Sequence, residues 1–238
     1  MKKIVLLLPL AILLMYPANC FGQAKVGTAG AKFLQIGVSA RAVGMGEAFL
    51  GVSDDASVLY YNPGALSLLT KKEAMFTHIA YPAGINYEFA GVVIPVPQIA
   101  GTIGAAFYML TMGDIPITTY GATHGTGQTF TASDYALGLS YSASLTDRFS
   151  IGITAKYISE YIDTYKATGW AMDLGTYYDT GFRNFKICMT IANFGPDMTF
   201  ISESFPLPTD FRFGTSIDVI QSEHSRLIFA AQGQHPND

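Results

Sequence analysis

The stretch Asp134-Tyr135-Ala136-Leu137-Gly138-Leu139-Ser140-Tyr141-Ser142-Ala143 decides how the rest of the chain is read. Tyr135, Leu137, Leu139, Tyr141 and Ala143 fall on one side of an extended backbone, and Asp134, Ala136, Gly138, Ser140 and Ser142 on the other. A strand, whose side chains alternate with a period of two, sorts these residues into one apolar face and one small, polar face. The next segment repeats the pattern: Phe149, Ile151, Ile153, Ala155 and Tyr157 alternate with Ser150, Gly152, Thr154 and Lys156. Leu145-Thr146-Asp147-Arg148 between them reads as a short polar turn, so the two segments are expected to form a hairpin.

Outward from this hairpin the alternation recurs. Phe185, Ile187, Met189 and Ile191 alternate with Lys186, Cys188 and Thr190, and Phe211, Phe213, Thr215, Ile217 and Val219 with Arg212, Gly214, Ser216 and Asp218. Weaker versions lie at 74–80, 87–94, 102–111, 170–178 and 226–232. The chain from Thr70 onward therefore predicts about nine strands, several near ten residues long. Strands of soluble sandwiches are typically about 5–6 residues, whereas a tilted strand needs about 9–11 to cross a bilayer. Tyr135, Tyr141, Phe149 and Tyr157 flank the apolar face as an aromatic girdle would, with dry rings and wet hydroxyls at the lipid boundary. Lys156, Lys186, Arg212 and Asp218 fall on the polar face and are candidates to line a lumen of mixed charge. In lipid an open sheet edge is untenable, so strands of this kind must close into a barrel. The alternative is an exported soluble β-sandwich whose apolar faces pair with each other.

Composition agrees with either. Of 238 residues only 13% are charged and half are hydrophobic, against about 25% charged in an ordinary soluble domain. Beyond the first twenty residues no uncharged apolar run approaches the ~18 residues of a membrane helix. A net charge of −4 gives no basic footprint for nucleic acid.

The first segment reads as an address. Lys2 and Lys3 precede an apolar core from Ile4 to Tyr16, and small residues follow around Gly22 and Ala24. This is the pattern of a cleaved secretory signal peptide over residues 1–24, in preference to a membrane anchor. Cys20 suggests a lipoprotein, but Pro17-Ala18-Asn19 is a poor approach to a lipidated cysteine. Cleavage would leave 12 basic and 18 acidic residues, a charge of −6, and Cys188 as the single cysteine, so no internal disulfide is expected.

Residues 31–69 do not alternate. Ser53 or Asp54 is the expected N-cap of a short helix over Ala56–Tyr61, and Asn62 before Pro63 should end it. Small residues at Ala40, Ala42, Gly44, Gly46 and Ala48 suggest close backbone packing.

This block resembles the start of the PorV/PorQ family, within the FadL-like group of outer-membrane barrels. The matching pieces are Ser39-Ala40-Arg41-Ala42, Gly44-Met45-Gly46, Asp54-Asp55-Ala56-Ser57 and Tyr60-Tyr61-Asn62-Pro63, although Gly64-Ala65 reverses the family's usual Ala-Gly. The likeness continues through Gly113-Asp114-Ile115-Pro116, Leu145–Ser150, Asn193-Phe194-Gly195-Pro196 and His235-Pro236-Asn237-Asp238. It implies an all-β fold: an antiparallel transmembrane β-barrel of FadL-like type, of about fourteen strands, with an N-terminal hatch. On that reading residues 25–70 are the hatch and residues 71–238 a C-terminally truncated barrel of about nine strands, with two unpaired edges. Arg41, Gly44, Gly46, Glu47, Asp54, Asp55, Asn62 and Pro63 are the hatch-motif residues. Arg41 and Glu47 are candidate partners for charges on the inner wall.

Catalytic, metal and cofactor sites are not expected. His78, His124, His224 and His235 are scattered without metal-ligand spacing. Gly125-Thr126-Gly127 lacks the Lys-Ser/Thr of a phosphate-binding loop, and Asp54-Asp55 reads as capping and ion pairing rather than acid–base chemistry. The resemblance implies a non-enzymatic protein of the bacterial outer membrane, in contact with outer-membrane lipid. PorV-type members are associated with type IX secretion and take part in export and surface attachment of cargo proteins. FadL-like barrels instead carry long-chain fatty acids and other hydrophobic solutes, and a structural protein with no transported ligand is a third reading. A solute path should run through Phe33, Leu34, Ile36, Phe49 and Leu50. A cargo receptor should carry long aromatic-bearing loops, with 111–131 and 159–169 as candidates.

Overall fold

A computed structural model describes residues 27–52, 54–222 and 225–237; the leader expected over 1–24 lies outside them. The chain folds into β1 (Glu73–Ala80), β2 (Asn86–Val96), β3 (Gly101–Thr111), β4 (Ile115–Pro116) and β5 (Thr129–Phe130). It continues with β6 (Ala132–Ser144), β7 (Phe149–Ile162), β8 (Tyr165–Asp179) and β9 (Lys186–Phe194). β10 (Met198–Phe200), β11 (Glu203–Phe205), β12 (Asp210–Gln221) and β13 (Arg226–Pro236) complete it. Nine of these make one antiparallel sheet in the order β1-β2-β3-β6-β7-β8-β9-β12-β13. The pairs β4–β5 and β10–β11 are small hairpins within the two long connections. The fold is all-β, and β1 and β13 are the edges of a sheet that does not close on itself.

Alternation sets the two faces. In β6 and β7 the apolar positions Leu137, Leu139, Ile151 and Ile153 are 49%, 61%, 43% and 36% exposed, while Ser140, Ser142, Ser150 and Thr154 between them are buried. Among the described residues no second sheet covers the apolar face, so the pairing that a sandwich requires is not made there. The opposite, inner face is covered by the N-terminal block instead. Phe33, Leu34, Phe49, Leu50, Leu59, Tyr61 and Leu66 are at most 2% exposed there. Burying each such side chain is worth about 1.5–3 kcal/mol. On β2 and β3 the inner face is itself aromatic, with Tyr87, Phe89 and Tyr108 fully buried. Here both faces are apolar, so alternation alone could not show which one turns inward.

Two sequence expectations are corrected. The segment 159–169 is not a long loop: β7 runs to Ile162, β8 starts at Tyr165, and a two-residue turn joins them with Asp163 at φ 56°. The period was hidden because this end of β8 reads Lys166, Ala167, Thr168 and Gly169, with little contrast between faces. The short helix covers Val58–Tyr61 rather than Ala56–Tyr61, with Ser57 as its N-cap residue. Asp54 does not cap it, because its carboxylate is held by Arg41. Asp55 instead accepts from the backbone N–H of Ser57 at 2.9 Å and from the Ser57 hydroxyl. Ser53 lies outside the described residues. Asn62 ends the helix with extended dihedrals, as the following proline demands, and its side chain accepts from Gly64 N–H to start the 3-10 turn Pro63–Leu68.

Candidate functional site

The functional candidate is the surface between the N-terminal block and the inner sheet face. Its deepest point is where residues 62–64 meet β7 and β8. The Ser142 and Ser150 hydroxyls both donate to the Gly64 carbonyl, at 3.3 and 2.7 Å. The Asn62 amide donates to the Thr176 carbonyl at 3.2 Å. This approach needs glycine on the wall: a Cβ on Gly152 would lie 2.1 Å from the Pro63 carbonyl oxygen, and one on Gly175 2.4 Å from Asn62 Oδ1. Further along, Ser216 donates to the Gly51 carbonyl at 2.7 Å, and Ala31 N–H donates to Glu160 at 3.0 Å. Buried backbone groups that the short helical turns of the block leave unpaired need such partners, and the small polar residues of the wall supply them.

Three ion pairs hold most charges of the covered face, while Asp134 and Glu160 lie opposite each other near the long connections. Lys156 Nζ meets Asp173 at 2.7 Å, both nearly inaccessible to solvent, and also donates to Asn193. Arg212 meets Asp210 at 2.5 Å with its guanidinium 5.5 Å from the Tyr60 ring centroid. Asp218 accepts from Arg226 and from Asn184. Lys186 lies 5.8 Å from the Tyr177 ring centroid. Lys156, Lys186, Arg212 and Asp218 thus stand on the covered side of the sheet. Asp173, Asp210 and Asn193 belong with them and were missed by sequence reading. Asp173 carried a usable signal, since it shares its face of β8 with the small residues Ala171 and Gly175.

The hatch-motif residues divide. Arg41 pairs with Asp54 at 2.5 Å and approaches Asp55 at 3.9 Å, so its partners lie within the block and not on the wall. The pair is exposed, and such pairs contribute about 0–1 kcal/mol. Gly44 and Gly46 meet open space rather than close packing. Gly46 serves the turn through its φ of 63°, followed by Glu47 at φ 64°. Glu47 faces the wall. Burial raises its carboxyl above the ordinary value of 4.5, and the nearby Tyr61 hydroxyl and Arg212 only partly offset this. The Tyr60 phenol is pushed up to about 12, again by burial, with Arg212 opposing.

The Glu47 shift has a stability consequence. Its carboxyl binds a proton more tightly in the fold than in the unfolded chain, so its contribution is fully present below 4.5 and is lost as pH rises through the folded value. Docking of the block should weaken over that window, and Glu47→Gln should remove the slope. Hydrogen exchange of residues 31–69 against pH, corrected for intrinsic rates, checks this.

Among the described residues no group of three or more His, Cys, Asp or Glu side chains is placed to hold a metal. His78 instead contacts Glu88 on the neighbouring strand at 2.6 Å. Cys188 is buried in the sheet. At the end where the block enters, Met112, Ile162, Phe200, Phe205, Asp134 and Glu160 border a cavity of about 530 Å³. Phe33, Leu34, Phe49 and Leu50 pack into the core rather than along a path. The outer-face aromatics stand at both ends of the apolar band. Tyr135 contacts Tyr161 toward the long connections, and Phe149 contacts Tyr178 toward the short ones. Tyr157 lies nearer the first end, and Tyr141 nearer the second, donating to the Ile99 carbonyl.

No curated protein matches the sequence. The family model described as "Type IX secretion system protein PorV" matches residues 20–233, which takes in the N-terminal block and all but the last residues of the sheet. With the block and the wall matched as one unit, the chain belongs to the PorV family of outer-membrane proteins associated with type IX secretion.

Proposed function

We propose that the sheet is the wall of a FadL-like transmembrane β-barrel, that the N-terminal block is its hatch, and that the protein handles cargo during type IX secretion without catalysing a reaction. The observation that carries the membrane part is the uncovered apolar face, bounded by aromatics. Tyr161 and Phe149 lie twelve positions apart on β7, roughly 40 Å along a strand. Tilted by about 45°, that span projects to roughly 28 Å, close to the apolar band of about 25 Å in such barrels. In hydrocarbon the edges β1 and β13 cannot stay unpaired, so on this reading each has a strand partner in the membrane.

Loop asymmetry supports the cargo part. Connections 97–100, 145–148, 180–185 and 222–225 at one end are all short, whereas the other end carries, beside the short turns 81–85 and 163–164, the long connections 112–131 and 195–209 with their own hairpins. Barrels of this type place long loops outside the cell. These loops expose aromatic and aliphatic side chains, with Tyr120 fully exposed and Ile201 and Phe205 also open. The pairs Lys156–Asp173 and Arg212–Asp210 leave little net field at the middle of the inner face to draw an ionic solute through. The hydrophobic-solute reading rests on one observation, the cavity beside Phe200 and Phe205, whose apolar lining suits a small amphiphile.

Deleting the gene in its native bacterium and following type IX cargo tests the assignment. Loss of surface-attached cargo, with cargo copurifying with the intact barrel, is the expected result. Unchanged secretion together with lost growth on long-chain lipids would replace it with the transporter reading.

A further inference from the structure

On the uncovered face, β6, β7 and β8 form rows that change chemistry with height. Tyr141, Ile153 and Leu174 lie side by side, then Leu139, Ala155 and Met172, then Leu137, Tyr157 and Trp170. The next row is Tyr135, Ser159 and Thr168, and the one beyond it is Ser133, Tyr161 and Lys166. Within two rows of the last large apolar row the surface turns first to hydroxyls and then to a cation, at the end that bears the long loops. The change coincides with a groove of about 520 Å³ lined by Ser133, Tyr135, Tyr157, Ser159, Tyr161 and Lys166. Ser159 forms part of its floor at 5% exposure, and Lys166 Nζ stands 4.9 Å from the Tyr161 ring centroid. The Asp163 carboxylate stands at the rim as the opposing charge.

We infer that this groove seats the phosphate-bearing headgroup of a net-anionic lipid, in preference to a zwitterionic one, in the leaflet on the long-loop side, with Lys166 as the counter-charge and the acyl chains lying over Leu137, Tyr157 and Trp170. Continuity of the groove with the apolar band selects a lipid over a soluble anion. The tyrosine and serine hydroxyls supply donors at the depth where headgroup oxygens lie. The inference rests on the membrane reading proposed above.

Trp170 is the single tryptophan of the chain, so its fluorescence reports on this position. The full chain is reconstituted in phosphatidylcholine vesicles containing either brominated phosphatidylglycerol or brominated phosphatidylcholine at equal mole fraction. Both lipids should quench Trp170, with an apparent association about fivefold stronger for phosphatidylglycerol, the preference one lysine at a surface provides. Lys166→Gln should bring the ratio close to one. Asp163→Asn, which keeps a residue that tolerates the left-handed turn, should raise it. Equal quenching by the two lipids in the wild-type protein would overturn the headgroup site while leaving the membrane reading intact. Absence of quenching by either would overturn the membrane reading itself. Inorganic phosphate should leave the preference unchanged relative to chloride at the same ionic strength, and its loss would reassign the groove to a soluble anion.

Discussion

Gly152→Val should expel residues 62–64 from the sheet. The position admits no side chain, because its Cβ would sit 2.1 Å from the Pro63 carbonyl oxygen and 2.9 Å from Gly64 N. These are backbone atoms that cannot rotate away. Gly175 faces the same turn from the next strand, so the wall cannot yield by sliding, and a Cβ on Gly64 would itself lie 2.7 Å from Gly175 backbone. Overpacking costs about 1–3 kcal/mol where side chains can adjust, and more where they cannot. Displacement would also strip the Gly64 carbonyl of its two serine donors, each hydrogen bond contributing about 0.5–1.5 kcal/mol. Limited proteolysis should cut within 27–70 in the variant and spare that block in the wild type. Gly233→Ala is the matched control: its Cβ meets nothing within 4 Å, and it should behave as wild type.

Lys156→Met should destabilise the protein more than any other single charge change on the wall. It leaves Asp173, 1% exposed, without its cation. Removing one member of a buried pair costs about 3–5 kcal/mol, whereas replacing both with apolar groups is often neutral. Lys156→Met with Asp173→Leu should therefore recover much of the loss. Urea unfolding of the single and double variants in the same detergent measures the coupling. Additive losses would show that the pair is not the unit of stability here.

The long strands were legible because their two faces differ in chemistry. Leu137–Ser140 and Ile151–Thr154 sort cleanly, and the structure gives them the expected pairing. Legibility fell where contrast fell. The start of β8 reads as loop because Ala167 and Gly169 resemble their neighbours, and apolar residues on both sides conceal the inward aromatics of β2 and β3. The covered wall was half visible: Lys156 and Arg212 announced themselves by charge and parity. Their partners Asp173 and Asp210 depend on register and on a strand start, which alternation does not fix. Least legible was the hatch motif. Arg41 stands on the short helix Ala40–Gly44 and Asp54 lies thirteen positions on, beyond turns, so only the folded chain shows that they pair with each other. The glycines of the wall, in turn, gain meaning only once the Pro63 turn is seen against them.

A sheet that spans the membrane must have its uncovered face solvated by hydrocarbon. Nitroxides attached in turn at positions 137, 139, 140, 151, 153 and 154 of the protein in lipid vesicles measure this through relaxation by oxygen and by a water-soluble nickel chelate. The expected result is oxygen-dominated relaxation at 137, 139, 151 and 153, with immobile labels shielded from both reagents at 140 and 154. Nickel-dominated relaxation at the first four positions, or labels as shielded there as at 140 and 154, would contradict it.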